Sequence, residues 1–339
     1  MAALRKDPLQ GHWVIVAAER GLRPQPRLPN QEAPSPGPCP FCPGNESMTP
    51  PQLYAMHAEG KGAVRAGASW EVRVIPNKFP ALTPHPDVLS SAGPYEQMAG
   101  VGAHEVVIES PRHDLDLADL PVDHVAMVIQ TYVLRLEALY LDKRHAYVQL
   151  FKNVGREAGA SLAHPHSQLL ATPLVPETIQ REMQRCQDHH ARHQASLFQT
   201  MLHHETQFQE RLVEVTADFA VLAPFASRFP FELHIVPRFA CADFSSVSRS
   251  KQATLAALLH RALARLRVVL GAYPYNLVLR TCPNPHTHPL EPLQQADYRW
   301  RLEIIPRLTT AAGLELATGI FVNPTPPETA AQLLRQARA

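Results

Sequence analysis

Cysteine is scarce in this chain. Five cysteines in 339 residues are an odd number, so a complete disulfide framework is not expected. Charge of one sign is scarce as well: 32 basic against 31 acidic residues leave a net charge of +1. That balance gives no footprint for nucleic acid or for an anionic membrane, and an anionic ligand has to be met by a local site. Long uncharged apolar runs are missing. The most apolar helical stretch, residues 120–141, carries Asp123, Arg135 and Glu137, which excludes a membrane span there. The N-terminal stretch has no apolar core and no signal-type cleavage site, so the expected compartment is the cytoplasm.

Hydrophobic residues make up 45% of the chain, enough for a sizeable core, and the length suits two domains or one unit built twice. There are 33 prolines and 18 histidines. Much of the proline falls in residues 24–51, which excludes regular helix and central strand and predicts an extended arm. Strands are expected at 13–17, 71–75, 103–109, 146–152, 161–171, 219–223, 231–236, 275–281 and 300–306. Helices are expected at 121–142, 176–208 and 247–270, where apolar residues recur at three- and four-residue spacing. The His- and Gln-rich centre of the middle helix reads as a solvated face.

A weak internal repeat runs through this pattern. AHEVVIESPRH, a helix, YVQLFKN, a loop and LAHPHSQLLATP are matched by FELHIVPRF, a helix, YNLVLRT, a loop and YRWRLEIIPRL. Each copy is strand, long helix, strand, loop, strand. Two copies of one α+β unit account for the length, with the boundary inside the middle helix, giving halves 1–195 and 196–339.

The most informative stretch is AGASLAHPHSQLLATP. His164, His166 and Gln168 alternate in an apolar run; on a strand these positions share one face. The preceding NVGREAGAS is rich in small residues and suits close approach of backbone N–H groups to an anion. An imidazole beside such a loop is a candidate nucleophile toward phosphorus. Cys39 and Cys42, in CPFC, form half of a zinc site; the surrounding prolines disfavour a redox motif. His113 and His164 are candidates for the other ligands, though spacing does not single them out. Asn77, Lys78 and Phe79 follow a strand in IPNKFPAL, and Arg20 and Arg23 form a small basic cluster in ERGLRPQP. By itself the first reads equally as a plain turn, and the second reads first as solvated cations.

HPHSQ, together with CPFC, NKFPAL, VVIESPRH and FKNVGREAGAS, resembles the galactose-1-phosphate uridylyltransferases of the histidine triad superfamily, and also their relatives that act as ADP-glucose phosphorylases. The similarity spans nearly the whole chain. It implies an α+β fold of two histidine-triad-like half-barrel repeats with antiparallel sheets and flanking helices, usually as a homodimer, and nucleotidyl transfer by double displacement. The implied activity moves UMP between UDP-glucose and galactose 1-phosphate. An ADP-glucose phosphorylase using inorganic phosphate is the alternative, and a zinc-stabilised nucleotide-binding protein without catalysis a further one. Nucleotide sugars and sugar 1-phosphates are the implied partners.

Residue by residue, the resemblance implies His166 as nucleophile, Gln168 as a hydrogen-bond donor to a nonbridging phosphoryl oxygen, and Ser161 at the departing phosphate. Asn77 and Asn153 match nucleotide-contacting positions and Arg20 and Arg23 the phosphate-holding arginines. Lys78, Phe79 and Gly159 belong to the same binding segments. Glu315 matches an acidic residue at the hexose. Cys39, Cys42, His113 and His164 match the ligands of one structural zinc per subunit.

The second half departs from the family pattern. A second metal site in many members uses a glutamate, present here as Glu182, and three histidines. Those positions read as Arg280, Arg299 and Arg301, and arginine is not a metal ligand. The expectation is that this second metal is lost and that arginine pairs with Glu182. Leu314 stands where an aromatic residue is usual beside the hexose.

Overall fold

In the computed structural model, residues 3–16, 38–57, 70–85 and 97–338 are described. The repeat seen in the sequence becomes a single sheet. The first half contributes β3 (Tyr54–Met56), β4 (Val72–Pro76), β5 (Ala103–Ile108), β6 (Tyr147–Val154) and β7 (His166–Thr172). The second contributes β8 (Leu212–Val215), β9 (Phe219–Leu222), β10 (Leu233–Pro237), β11 (Tyr275–Arg280) and β12 (Arg301–Pro306). The ten strands run β3-β4-β5-β7-β6-β11-β12-β10-β9-β8. From the central β6–β11 pair outward, the two sides repeat the same order, each with its long helix, α1 (Val122–Tyr140) or α4 (Arg249–Leu270), inserted at the same point of the chain. The joint is antiparallel, with Asn153 opposite Asn276 and Lys152 opposite Leu277. The α+β fold is as expected, with its two half-barrel repeats joined edge to edge.

Strand alternation gives the sheet two faces. Val107, Val148, Leu150 and Leu169 in the first half, and Ile235, Leu277, Leu279 and Leu302 in the second, are buried in one core with α1 and α4. Burial of apolar area at about 25 cal/mol per Å² makes this shared core the main stabilising term. The opposite face of the second half is covered by α2 (Glu177–His193) and α3 (Leu197–Phe208), where Cys186, Phe198 and Leu202 pack on Ala220, Leu222 and Val236. Over the first half the same face is covered by the Cys39–Cys42 loop, with Phe41 packed among Ile75, Val106 and Ile108.

Two expectations change. The middle helix 176–208 is two helices. Gln194 closes α2 in the left-handed region, at φ 53°, and the Ser196 hydroxyl accepts the Gln199 N–H to start α3. The strand expected at 161–171 begins only at His166. Pro165 has no N–H to give a neighbouring strand and holds His164 out of the ladder. His164 therefore precedes the strand rather than sharing its face with His166 and Gln168. The remaining elements are peripheral. β1 (Ala3–Lys6) and β2 (Trp13–Val16) join β13 (Phe321–Asn323) in a three-stranded sheet, followed by α7 (Pro327–Gln336); α5 (Pro292–Asp297) and α6 (Gly313–Thr318) are one- to two-turn helices. Among the described residues, no helix is long and apolar enough to cross a membrane.

Candidate active site

Cys39, Cys42, His113 and His164 converge. Their ligand atoms all lie within 4.8 Å of one another. Cys42 Sγ is 3.5 Å from His113 Nδ1, and Cys39 Sγ and Cys42 Sγ are each 3.7 Å from His164 Nδ1. A tetrahedral zinc with bonds near 2.3 Å to sulfur and 2.1 Å to nitrogen requires ligand separations of about 3.6 Å. His164 Nε2 donates to Ser110 O at 2.8 Å, which leaves Nδ1 as a lone pair facing the cysteines. The donor set and its geometry fit zinc, which would tie the CPFC loop to the segment before β7.

His166 stands at the first position of β7 and is 6% exposed. Its Nδ1 lies 2.8 Å from His164 O. A carbonyl only accepts, so the proton sits on Nδ1 and Nε2 keeps the lone pair. Burial lowers the imidazole pKa and the Lys152 charge pushes the same way, so the ring is neutral near pH 7. The Phe41 ring meets His166 edge-on at 5.3 Å and His164 at 6.0 Å, between the two cysteines.

Behind this strand lies a buried polar cluster that sequence reasoning missed. Glu109 accepts from Lys152, from the Ser167 hydroxyl and, at 2.7 Å, from Tyr132 OH. Lys152 also meets Asp116 at 2.9 Å, and Tyr275 OH donates to Asp116 at 2.6 Å. The cluster links β5, β6, β7, α1 and, through Tyr275, the second half. A lone Glu109 after an apolar strand and a Lys152 inside one were the available signals; single charges carry no partner information.

Gln168, two residues beyond His166, is half-buried on the same face. Its Oε1 lies 2.8 Å from His104 Nε2 and 3.5 Å from Asn77 Nδ2. Asn77 Oδ1 accepts the Phe79 N–H at 2.9 Å. Lys78 and Phe79 are exposed, Phe79 at 83%. Ser161 is exposed in the loop before His164. Gly159 has φ +87°, a left-handed turn that suits glycine, and its carbonyl accepts from Asn153 Nδ2 at 3.5 Å. Asn153 Oδ1 accepts in turn from Asn276 of the second half at 2.8 Å. Glu315 sits on α6, before β13, where its carboxylate accepts the Ala312 N–H at 2.9 Å. Leu314 beside it is 45% exposed. Arg20 and Arg23 lie outside the described residues.

The second half carries an ion-pair cluster on the corresponding region of its sheet. Arg301 binds Glu182 through Nη1 at 2.9 Å and Nη2 at 2.8 Å, and its Nε meets Glu303 at 2.9 Å. Arg280 Nε lies 3.5 Å from Glu303, and Arg228 bridges Glu232 and Glu303 at 3.2 and 3.3 Å. Arg299 does not join: its Nη1 donates to Pro237 O. Arg301 thus pairs with Glu182, as expected for an arginine at this position, while Arg280 meets Glu303 instead. Glu232, His234 and Glu303 also cluster closely enough to hold a metal, but their carboxylates already face arginines.

Residues 1–176 match the family model of the galactose-1-phosphate uridyl transferase N-terminal domain, and residues 101–337 match a domain of unknown function, DUF4921. The chain belongs to the galactose-1-phosphate uridyl transferase family. It is 32% identical to an ADP-glucose phosphorylase of Arabidopsis thaliana, over 98% of this chain and 92% of that protein. It is 27% identical to a galactose-1-phosphate uridylyltransferase of Thermotoga maritima, over 99% and 98%. The crystal structure of an Arabidopsis thaliana ADP-glucose phosphorylase with bound ADP-glucose superposes with a TM-score of 0.84, at 29% identity and full coverage of both chains. A uridylyltransferase structure superposes with a TM-score of 0.76, at 29% identity over 99% and 98%.

Proposed function

We propose that the chain transfers a nucleoside monophosphate from a nucleotide sugar through a covalent intermediate on His166. The observation that carries this is the His166 tautomer: Nδ1 is tied to His164 O and Nε2 holds the lone pair on a buried, neutral ring. In the first step Nε2 bonds to the α-phosphorus, and the bond from that phosphorus to the bridging oxygen breaks. The electron pair leaves with the sugar 1-phosphate. In the second step an acceptor oxygen bonds to the same phosphorus and the N–P bond returns its electrons to His166. Gln168 steadies the nonbridging oxygens as charge builds. Ser161, Gly159, Asn77, Asn153, Lys78, Phe79, Arg20 and Arg23 are assigned to the nucleotide and phosphates, Glu315 to the sugar, and halves 1–195 and 196–339 to catalysis and sugar-phosphate binding.

For the donor and acceptor, ADP-glucose and inorganic phosphate are the first reading. Support comes from the 32% identity over 98% of the chain and the TM-score of 0.84, which exceed the values for the uridylyltransferases. Leu314, which leaves the expected aromatic wall of the hexose site unfilled, points the same way. Transfer of UMP between UDP-glucose and galactose 1-phosphate is the second reading, supported by relatives such as the Thermotoga maritima enzyme.

The test is incubation with ADP-glucose or UDP-glucose labelled at the α-phosphate, without acceptor, followed by phosphate or galactose 1-phosphate. Label from one donor should attach to the protein and be discharged by one acceptor. His166→Gly should abolish labelling while nucleotide still binds; labelling that survives removes His166 as nucleophile.

A further inference from the structure

The hydrogen bonds around Gln168 have a direction that backbone groups impose. The Ala81 N–H donates to His104 Nδ1 at 3.2 Å. A backbone N–H has no other role, so Nδ1 is the acceptor and, in the neutral ring, Nε2 carries the proton. That proton points at Gln168, 2.8 Å away, so the atom of the Gln168 amide facing His104 is its oxygen. The Phe79 N–H fixes the Asn77 amide in the same way, taking Oδ1 and turning Nδ2 toward Gln168. Asn77 Nδ2 also lies 3.3 Å from His104 Nε2; with that nitrogen protonated, both groups are donors converging on Gln168 Oε1.

The consequence falls on the other end of the amide. With Oε1 held by His104 and Asn77, the Gln168 NH2 is directed away from them. A freely rotating glutamine would present either its oxygen or its nitrogen to a phosphoryl group, and the oxygen would repel it. His104 reaches Gln168 as a diagonal neighbour across the β5–β7 ladder, where Val106 is directly opposite Gln168 and His104 is opposite Leu170. The chain of command runs from two backbone amides of the segment after β4, through two side chains, to one amide.

We propose that His104 is a positioning residue that fixes the polarity of Gln168, so that its amide nitrogen, not its oxygen, meets the transferred phosphoryl group; Asn77 assists. This rests on Gln168 contacting the phosphoryl group, as proposed above. His104 itself touches no reacting atom.

The measurement is the single-turnover rate of label transfer from ADP-glucose and UDP-glucose to His166, with melting temperature and nucleotide Kd recorded for each variant. Gln168→Ala should slow the step about 100-fold, and His104→Ala about 10-fold or more with Kd changed less than about threefold. Added to Gln168→Ala, His104→Ala should cost less than about twofold, because the amide it orients is gone. His104→Gln places a donor where Nε2 stood and should retain the rate within about threefold; His104→Glu places only acceptors there, turns the Gln168 amide around, and should be as slow as Gln168→Ala. Equal rates for His104→Gln and His104→Glu overturn the inference, as does an undiminished cost of His104→Ala in the Gln168→Ala background. These two arms decide the matter even where His104→Ala lowers the melting temperature. If Gln168→Ala alone leaves the rate unchanged, it is the role assigned to Gln168 that falls, and the inference with it.

Discussion

Arg301 holds Glu182 by two parallel hydrogen bonds of 2.8 and 2.9 Å, with both side chains sealed from solvent. Tyr298 OH adds a third bond to the same carboxylate at 3.2 Å. The pair pins α2 to β12.

Removing one member of this pair strands a charge. Arg301→Met leaves Glu182 and Glu303 with one cation fewer, and the expected loss is about 3–5 kcal/mol of unfolding free energy. Arg301→Met combined with Glu182→Gln should recover part of it. Urea unfolding checks both; a loss below about 1 kcal/mol for the single variant would show that water or another cation replaces the guanidinium. Metal analysis of the intact protein should return one zinc equivalent, not two.

The candidate zinc site touches the proposed nucleophile through direct contacts. His164 belongs to the candidate metal cluster and, through its carbonyl, is the partner of His166 Nδ1, while Phe41 packs on both rings. Cys39→Ser should lose the metal, lower the melting temperature and cut label transfer by about 100-fold or more, since small displacements of reacting groups are costly. Zinc content and single-turnover rate measured on the same sample check this. Full activity in a zinc-free sample would refute the coupling.

The Lys152–Glu109–Asp116 cluster carries a similar risk in the first half. Burial disfavours the Lys152 charge, but Asp116 and Glu109 overcome it and raise its pKa. Lys152→Met should therefore cost about 3–5 kcal/mol. Ser167→Ala removes one neutral donor from the cluster and should cost about 1–2 kcal/mol. The order of the two in urea unfolding is the check.

Acid should act on the second-half cluster only well below the ordinary carboxylate range. Burial pushes the Glu232 carboxyl up, but Arg228 and His234 outweigh it and hold its pKa at about 2, below the ordinary 4.5. Glu303 is also held well below the usual range; burial raises it, and Arg280 and Arg301 more than offset that. A carboxylate with a depressed folded pKa stabilises the native state fully above its unfolded pKa and loses that contribution as pH falls through the folded one. The contribution from Glu232 should thus hold above about pH 4.5 and fade down to about pH 2. Stability measured against pH should show this slope, and Arg228→Met should move it to higher pH.

Much of the site was legible because local order makes it so. HPHSQ, CPFC and the small-residue loop each place their chemistry within a few residues, and alternation puts His164, His166 and Gln168 on one face, which holds for the last two. The break at Gln194 was also written locally, in the Ser196 cap, but the helical period on either side masked it. Pro165 is visible too, but the apolar run that follows it hides where the ladder starts.

What the sequence determined by itself is the α+β repeat, the family and a candidate nucleophile, because periodicity, turn chemistry and motif spacing are properties of neighbouring residues. Tertiary structure decided everything that depends on which strands lie side by side. His104 is 64 residues from Gln168 in the chain, and Arg301 is 119 from Glu182. A histidine or an arginine declares its chemical type in the sequence, but its partner is chosen by the register of the sheet, and the partner decides what the residue does.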